Sequence, residues 1–138
     1  MSAFLARLGP LAPMRLASPA RVAYQDACHL AHAQSVRREP RDLLARIEGL
    51  ELVELVDGDI CCGSAGIYNL EQPDIARTLG ARKAATVVAT QASVVVTGNV
   101  GCQMQLRAHL RESGSPVEVL HTVEVLARAL ETRPSRGA

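Results

Sequence analysis

Apolar residues along this chain follow two alternating patterns, short runs typical of buried strands and stripes at helical spacing. The strand-like runs cover residues 21–25, 51–56, 93–97 and 117–120, and the run SVVVT at 93–97 is the clearest. A loop and a helical stripe follow each run. Because parallel strands need helical crossovers, the alternation predicts an α/β fold with a small, mostly parallel four-stranded sheet flanked by helices.

Proline, glycine and threonine mark the expected helix ends. Pro40 and Pro73 stand where first helical residues are expected, Gly49 is expected to end the helix that Pro40 opens, and Thr122 is expected to cap the last helix. Lys83 falls on a stripe, and its stem is expected to be buried while its ammonium reaches water. The stripes are Leu43, Leu44 and Ile47; Ile75, Leu79 and Val87; Leu106 and Leu110; and Val123, Leu126 and Leu130.

The two ends of the chain differ from its middle. Residues 1–20 are predicted to form a short helix and a linker that contains Pro10, Pro13 and Pro19. Residues 21–132 hold all the strand-like runs and all the cysteines, and they are predicted to form one cysteine-rich domain. Residues 133–138 are expected to be a flexible tail.

Composition narrows the possible partners. Apolar residues make up 48%, which indicates a globular fold, and the net charge of +1 gives no reason to expect nucleic acid or anionic membrane. The longest uncharged stretch, residues 84–106, carries too many Thr, Gln, Ser and Asn residues for a membrane span. The N-terminus is a poor secretory signal, so a cytoplasmic location is expected, where cysteines are metal ligands or free thiols rather than disulfides.

Four cysteines carry the candidate chemistry: Cys28, Cys61, Cys62 and Cys102. Each comes directly after a predicted strand, and the carboxyl ends of parallel strands meet at one edge of a sheet, so we expect the cysteines to converge there. A lone cysteine is often only a small buried apolar residue, and neighbouring cysteines form a disulfide only with strain. Zinc stays open, although no Cys-x-x-Cys knuckle is present; an iron–sulfur cluster would offer adjacent thiolates different metal atoms.

Small residues surround these cysteines. Gly63, Ser64 and Gly66 follow the adjacent pair, and Gly101 precedes Cys102. Their backbone N–H groups are expected to bind a cofactor by donating hydrogen bonds to sulfur, and ordinary turns are the plainer interpretation. The Gly-Lys-Ser/Thr ending of a phosphate-binding loop is missing here, so such a loop is not supported. Cys102 is expected to begin a helix, a position that lowers the pKa of a thiol.

Several polar residues near the cysteines have plainer interpretations. A lone histidine such as His121 is more often a packed or exposed residue than a ligand. Asp26 is expected to orient the Cys28 loop by side-chain capping or to form a plain turn. Arg37, Arg38 and Arg41 are expected to form a solvated basic face.

Five stretches carry a specific resemblance: DACHLAHAQ at 26–34, PRDLL at 40–44, ICCGSAGIYNL at 60–70, TGNVGCQMQL at 97–106 and VLHTVEVL at 119–126. Residues 22–130 closely resemble the C-terminal cysteine-rich domain of glycolate oxidase iron–sulfur subunits. The wider group with this cysteine-rich domain includes heterodisulfide reductases and lactate-utilisation proteins.

The resemblance implies a cluster-binding electron-transfer module that is not itself catalytic. Cys28, Cys61, Cys62 and Cys102 match the cysteine positions of the cluster motif, and a [4Fe-4S] cluster is the expected type. Electrons would pass from a flavin subunit that oxidises glycolate or another 2-hydroxy acid towards a respiratory acceptor. The implied partners are that flavin subunit and a second cluster-binding half, and such a complex would lie in the cytoplasm or at the inner face of the cell membrane.

Two departures from the family pattern affect this expectation. The fuller motif ends in Cys-x-x-Cys, whereas Gln105 stands at the last position here, so a four-thiolate cluster is expected. Upstream ferredoxin-type motifs and another cysteine-rich domain are absent, and we interpret the chain as a fragment, a split-gene product or a stand-alone half.

Two other classes of function remain open from the residues. One is a zinc-binding or metal-free assembly subunit of such a complex. The other is a thiol–disulfide enzyme that uses Cys61 and Cys62. No Ser-His-Asp set, carboxylate pair or nucleotide fingerprint supports an independent hydrolase or dehydrogenase.

Overall fold

A computed structural model of the chain describes residues 1–8, 12–64 and 68–132, and its centre is a four-stranded sheet. The strands are β1 (Met14–Gln25), β2 (Ile47–Glu54), β3 (Val94–Thr97) and β4 (Glu118–His121). Their order is β2-β1-β3-β4, and every neighbouring pair is parallel. The predicted α/β fold, a small parallel four-stranded sheet flanked by helices, is confirmed.

Helices cover both faces of this sheet. They are α1 (Ser2–Arg7), α2 (Arg38–Ala45), α3 (Tyr68–Glu71), α4 (Pro73–Ala89), α5 (Val100–Glu112) and α6 (Thr122–Glu131), and a π-helical turn spans His29–Ala33. Pro73 opens α4 as predicted, whereas α2 begins two residues before Pro40. Among the described residues, no helix has the length and apolar character that crossing a bilayer would require.

Alternate residues of β1 supply two separate cores. Val22 and Tyr24 face α2 and α6, where they meet Leu44 and Leu126. Ala23 faces the opposite side, into a core that contains Leu106 of α5. Because both faces of a parallel sheet are buried, its strands read as continuous apolar runs, and this is why the strand prediction succeeded.

Strand β1 begins earlier than its apolar run indicates. Residues 14–20, predicted as linker, extend it, and Arg15 pairs with Glu48 while Ala20 pairs with Leu50. Four residues of β1 therefore face a single residue of β2, Gly49, whose φ is +84°. Proline has no N–H to donate, and Pro19 lies in the stretch where pairing is interrupted.

The predicted end of α2 is also wrong. Gly49 was expected to close the helix, and Ile47 to lie on its apolar stripe, but both belong to β2. The positive φ of glycine serves a strand irregularity here rather than a helix end. Residues 133–138, predicted as a flexible tail, lie outside the described residues.

Helix α4 buries a face that matches the predicted stripe only in part, because Val87 is buried as predicted and Ile75 is not. Ile75 is 48% exposed, and the buried side contains small residues and Lys83, whose side chain is fully buried rather than reaching water. A Cβ at Gly80 would overlap the ring of His109 on α5. Close contact between the helices therefore requires small residues, which an apolar periodicity does not detect.

Helix α6 is capped by His121 rather than by Thr122. The His121 ring Nδ1 accepts a hydrogen bond from the Val123 N–H at 3.2 Å, and Glu124 accepts one from the backbone N–H of His121 at 2.6 Å. Of the predicted stripe, only Leu126 is buried. The buried side of α6 is formed instead by Val125, Leu126 and Ala129, and Val123 and Leu130 are exposed.

Candidate functional site

The four cysteines meet at the carboxyl edge of the sheet. Cys28 follows the end of β1, Cys61 and Cys62 lie in the loop after β2, and Cys102 lies in the first turn of α5 after β3. Strand order explains the convergence. Because β1 lies between β2 and β3, the loops that follow the carboxyl ends of these three strands are neighbours. Segments distant in sequence thus form one cysteine site, which we define as Cys28, Cys61, Cys62 and Cys102.

Cys62 and Cys102 form the buried half of the cysteine site. They are 2% and 3% exposed, and their sulfurs share a hydrogen bond at 3.0 Å. The Ser64 Oγ lies 3.0 Å from the Cys62 sulfur and 3.7 Å from the Cys102 sulfur. A disulfide would bring the sulfurs to about 2.05 Å, so both residues are thiols.

Cys28 and Cys61 form the more accessible half. Both are partly exposed, and burial raises the pKa of the Cys61 thiol, with smaller contributions from the nearby Cys62 and Cys28. The backbone N–H of Gly63 donates a hydrogen bond to the Cys61 sulfur at 3.3 Å. The loop therefore offers its own donor to sulfur.

The buried thiols do not titrate alike. The hydrogen bond with Cys102 and the hydroxyl of Ser64 lower the pKa of Cys62 to about 6, although burial acts in the opposite direction. The same hydrogen bond, together with burial, raises the pKa of Cys102. Burial also raises the pKa of Cys61, and the Gly63 N–H partly offsets this. The expectation that the helix start lowers the pKa of Cys102 is wrong, because the hydrogen bond with Cys62 and burial raise it.

Two of the predicted loop residues contact sulfur, and a third makes room for the contact. Gly63 has a φ of +85°, and a Cβ there would overlap the carbonyl oxygen of Ala76 on α4. A Cβ at Gly101 would lie 3.3 Å from the Ser64 Oγ, so this glycine leaves space for the serine beside Cys102. Gly66, the fourth predicted residue, lies outside the described residues.

Asn99 fixes the position of Cys102 at the start of α5. Its side-chain Oδ1 accepts a hydrogen bond from the Cys102 N–H at 3.0 Å, which is the usual contact of a helix N-cap residue. Our sequence interpretation missed this role. An asparagine between a buried strand and a helical stripe was the available signal.

Arg41 links the carboxyl ends of β1 and β2 beside the cysteine site. Its guanidinium donates two hydrogen bonds to Asp26, at 3.0 and 2.7 Å, and two to Glu54, at 2.7 and 2.8 Å. It also lies 4.8 Å from the ring centre of Tyr24. Arg41 therefore departs from the expected solvated face, whereas Arg38 is exposed as expected. The expected capping role of Asp26 is wrong, because its carboxylate forms a largely buried ion pair with Arg41.

The sulfur spacing does not match a single metal ion. Within the described ranges, no set of three or more His, Cys, Asp or Glu side chains is arranged around one ion position. Two sulfurs on a tetrahedral zinc ion, at about 2.3 Å from the metal, would be about 3.8 Å apart. The Cys62 and Cys102 sulfurs, at 3.0 Å, are closer together than the ligands of a zinc ion or of an iron–sulfur cluster would be, so this distance does not favour one over the other.

Comparison with known proteins gives one matching family and several curated relatives. The model of the cysteine-rich domain family named CCG matches residues 22–107, a range that includes all four cysteines. A probable glycolate oxidase iron-sulfur subunit of Bacillus subtilis (strain 168) is 38% identical over 118 residues, which cover 84% of this chain and 27% of that protein.

Two further relatives carry a different name. Lactate utilization protein A of Oceanobacillus iheyensis is 34% identical over 106 residues, which cover 77% of this chain and 43% of that protein. Lactate utilization protein A 2 of Bacillus cereus (strain AH820) is 32% identical over 110 residues, which cover 80% of this chain and 46% of that protein. This chain thus spans less than half the length of each of these relatives.

Proposed function

Because the chain belongs to the CCG cysteine-rich domain family, we propose that it is an iron–sulfur electron-transfer module of a complex that oxidises glycolate or another 2-hydroxy acid. The observation that carries this proposal is the convergence of four thiols at one edge of the sheet. The name of the Bacillus subtilis relative, an iron-sulfur subunit, supports the cofactor, and its reference to glycolate oxidase supports the class of complex.

In this proposal, Cys28, Cys61, Cys62 and Cys102 hold the cluster. Thiolates are the usual ligands of iron–sulfur clusters, and the chemistry of this donor set suits the cofactor. The cluster would be of the [4Fe-4S] type, and when bound it would supply a one-electron redox centre. Gln105 stands where a fifth cysteine occurs in the fuller motif, and its amide lies 3.3 Å from the Nε2 of His109, which supports a four-thiolate set.

The residues around the cysteines would orient the sulfurs. The Gly63 N–H donates to the Cys61 sulfur, and the hydroxyl of Ser64 lies beside two others. Gly101 leaves room for that hydroxyl. Gly66 is assigned to the same cofactor-binding loop from its place in the sequence. Such hydrogen bonds reduce the charge on sulfur and thereby tune the potential of a bound cluster.

The partners in this proposal are the flavin-containing subunit that oxidises the hydroxy acid and a second cluster-binding part. The chain spans only 27% to 46% of the three relatives, which leaves room for that second part. Exposed apolar side chains, among them Val56, Val100 and Met104, follow the carboxyl ends of strands, on the same edge as the cysteines. Electrons would pass through the module towards a respiratory acceptor, with the complex in the cytoplasm or at the inner face of the membrane.

Metal analysis of the anaerobically purified chain tests this proposal. We expect about four irons and about four acid-labile sulfides per chain, and a brown colour that bleaches with dithionite. Cys62→Ser should lose most of the iron. Met104→Ser is the matched control, because it removes an exposed sulfur from the same helix as Cys102, and it should keep the iron. Bound zinc, or no metal after reconstitution with iron and sulfide, would contradict the proposal and favour the assembly subunit.

A further inference from the structure

Lys83 is a buried cation that the proposed function does not yet use. It is the only lysine among the fifteen Lys and Arg residues of the chain, and it is 0% exposed in the middle of α4. Basic side chains are almost never fully buried unless they are paired. The position of this one therefore needs a physical explanation.

The ammonium of Lys83 binds the loop that leads to the adjacent cysteines. Its Nζ donates hydrogen bonds to the backbone oxygens of Asp57, at 3.2 Å, and of Gly58, at 3.1 Å. In the part of the chain that the structure describes, no carboxylate lies within ion-pair distance of Nζ. Two carbonyl dipoles orient the ammonium, but they leave its charge without an ionic partner.

Helix α4 supports this loop at two places. Lys83 holds its beginning at Asp57 and Gly58, and Ala76, two turns earlier on α4, contacts Gly63 at its end. Cys61 and Cys62 lie between these two contacts. Helix α4, which carries Lys83, therefore also packs against the loop that contains Cys61 and Cys62.

The sulfurs are the nearby groups whose charge suits Lys83. Burial lowers the pKa of Lys83, and negative charge on Cys62 and Cys61 opposes this most strongly among its neighbours, ahead of Asp26 and Asp59. A buried cation either loses its proton or finds an opposite charge. Four thiolates at the sheet edge would supply that charge.

We propose that Lys83 is the counter-cation of the cysteine site, a positioning residue that holds the Asp57–Gly58 turn and raises the reduction potential of the bound cluster. This inference rests on the proposed function, because it requires the cysteines to carry a cluster. Reduction adds one electron to a site already negative with thiolates, and a fixed buried positive charge favours the state with that extra electron.

Midpoint potentials of three variants test the role of Lys83. Lys83→Met removes the charge and both hydrogen bonds while keeping a long apolar side chain, and Lys83→Gln removes the charge but keeps a donor. We expect either change to lower the ratio of reduced to oxidised cluster about tenfold at a fixed potential, which is a midpoint shift of about −59 mV for one electron. The control is Arg82→Gln, which removes an exposed charge bound to Asp57 at 3.1 Å and should leave the potential unchanged.

The outcomes separate this inference from the proposed function. Absence of iron from the reconstituted wild-type chain would overturn both. A wild-type chain that binds iron, with an unchanged potential in iron-loaded Lys83→Gln, would overturn the role of Lys83 alone. Loss of iron from both Lys83 variants, with circular dichroism showing them folded, would overturn the counter-cation role, because it would show that Lys83 acts only by holding the Asp57–Gly58 turn. If Lys83→Met does not fold, Lys83→Gln decides the question.

Discussion

Gly63 occupies the tightest point of the loop that carries Cys61 and Cys62. Its φ is +85°, and its backbone lies against α4 so closely that a Cβ would overlap the Ala76 carbonyl oxygen. The same residue donates its N–H to the Cys61 sulfur. One glycine thus combines a left-handed backbone, a close helix contact and a hydrogen bond to sulfur.

Replacing Gly63 by alanine should destabilise the protein by about 3 kcal/mol. About 1 kcal/mol of this comes from the left-handed backbone, and the rest from the overlap with α4. Gly114→Ala is a matched control, because its φ is +68° and nothing lies within 4 Å of a Cβ there. It should cost only about 1 kcal/mol. Urea denaturation measures both values, and equal losses would show that the contact with Ala76 has no energetic role.

Tyr24 should make the stability of the protein depend on alkaline pH. Burial, and next the nearby charge of Asp26, raise the pKa of Tyr24 to about 12 from an ordinary value of 10. The folded state therefore holds the proton more tightly than the unfolded state, so this stabilisation is complete below pH 10 and is lost as the pH rises towards 12. The difference in unfolding free energy between wild type and Tyr24→Phe, measured from pH 8 to 11, should be constant and then fall. A difference that stays level above pH 10 would contradict the assignment.

The positions of the cysteines were predictable from sequence, whereas the polar residues that support them were not. Each cysteine follows an apolar run, and the carboxyl ends of parallel strands meet at one edge, so the runs alone were enough to predict the convergence. The partners of Arg41 and Lys83 are 13 to 26 residues away in sequence, apart from one carbonyl, so no local pattern contains them. Their roles depend on tertiary contacts that only the folded chain displays.

At the scale of elements, Arg41 ties α2 to the ends of two neighbouring strands. Glu54 and Asp26 together raise the pKa of Arg41, which therefore stays charged at any ordinary pH. The side chain of Asp26 is only 8% exposed, so this ion pair has lost most of its hydration. Such a pair contributes to stability mainly because breaking it leaves a buried charge without a partner.

Arg41→Met should destabilise the protein by about 3 kcal/mol, because it leaves the Asp26 carboxylate buried and unpaired. Arg128→Met serves as the control. Arg128 also binds one carboxylate, Glu118, with two hydrogen bonds, but both partners are about half exposed. Loss of that pair should cost less than about 1 kcal/mol. Thermal and urea denaturation compare the two variants, and similar losses would mean that burial of the Arg41–Asp26 pair has little effect.

Strands were predicted better than helix faces, and packing density explains the difference. The four strands were found because buried parallel strands are apolar on both sides. The buried face of α4 consists largely of Ala and Gly, and these small residues are selected by the distance to α5 rather than by apolarity. On α6 the buried side includes Val125 and Ala129, which lie outside the predicted stripe.

At the scale of the whole molecule, the sheet separates two cores that share their strands. Leu44 belongs to the core on the α2 and α6 side, and Leu106 to the core on the α4 and α5 side. Both side chains are almost completely buried, at 0% and 1% exposure. Since adjacent residues of β1 enter opposite cores, neither core is expected to unfold without the other.

Leu44→Ala and Leu106→Ala should each destabilise one common unfolding transition by about 2 to 5 kcal/mol. Far-UV circular dichroism and the reactivity of Cys62 and Cys102 towards a thiol reagent, followed in the same urea series, should report coincident midpoints. Separate midpoints in either variant would contradict a single cooperative unit and would assign the cysteine site to one core.

The central position of β1 imposes an order on the assembly of this protein during synthesis. Val22 pairs with Val94, so β1 leaves the ribosome long before the strand that completes its other edge. Cys28, Cys61 and Cys62 are already translated when β3 emerges, whereas Cys102 follows β3. Contacts of such long sequence separation form late in folding. The nascent chain therefore presents an incomplete set of thiols until most of the domain has emerged, and under the proposed function the cluster would be inserted late in its maturation.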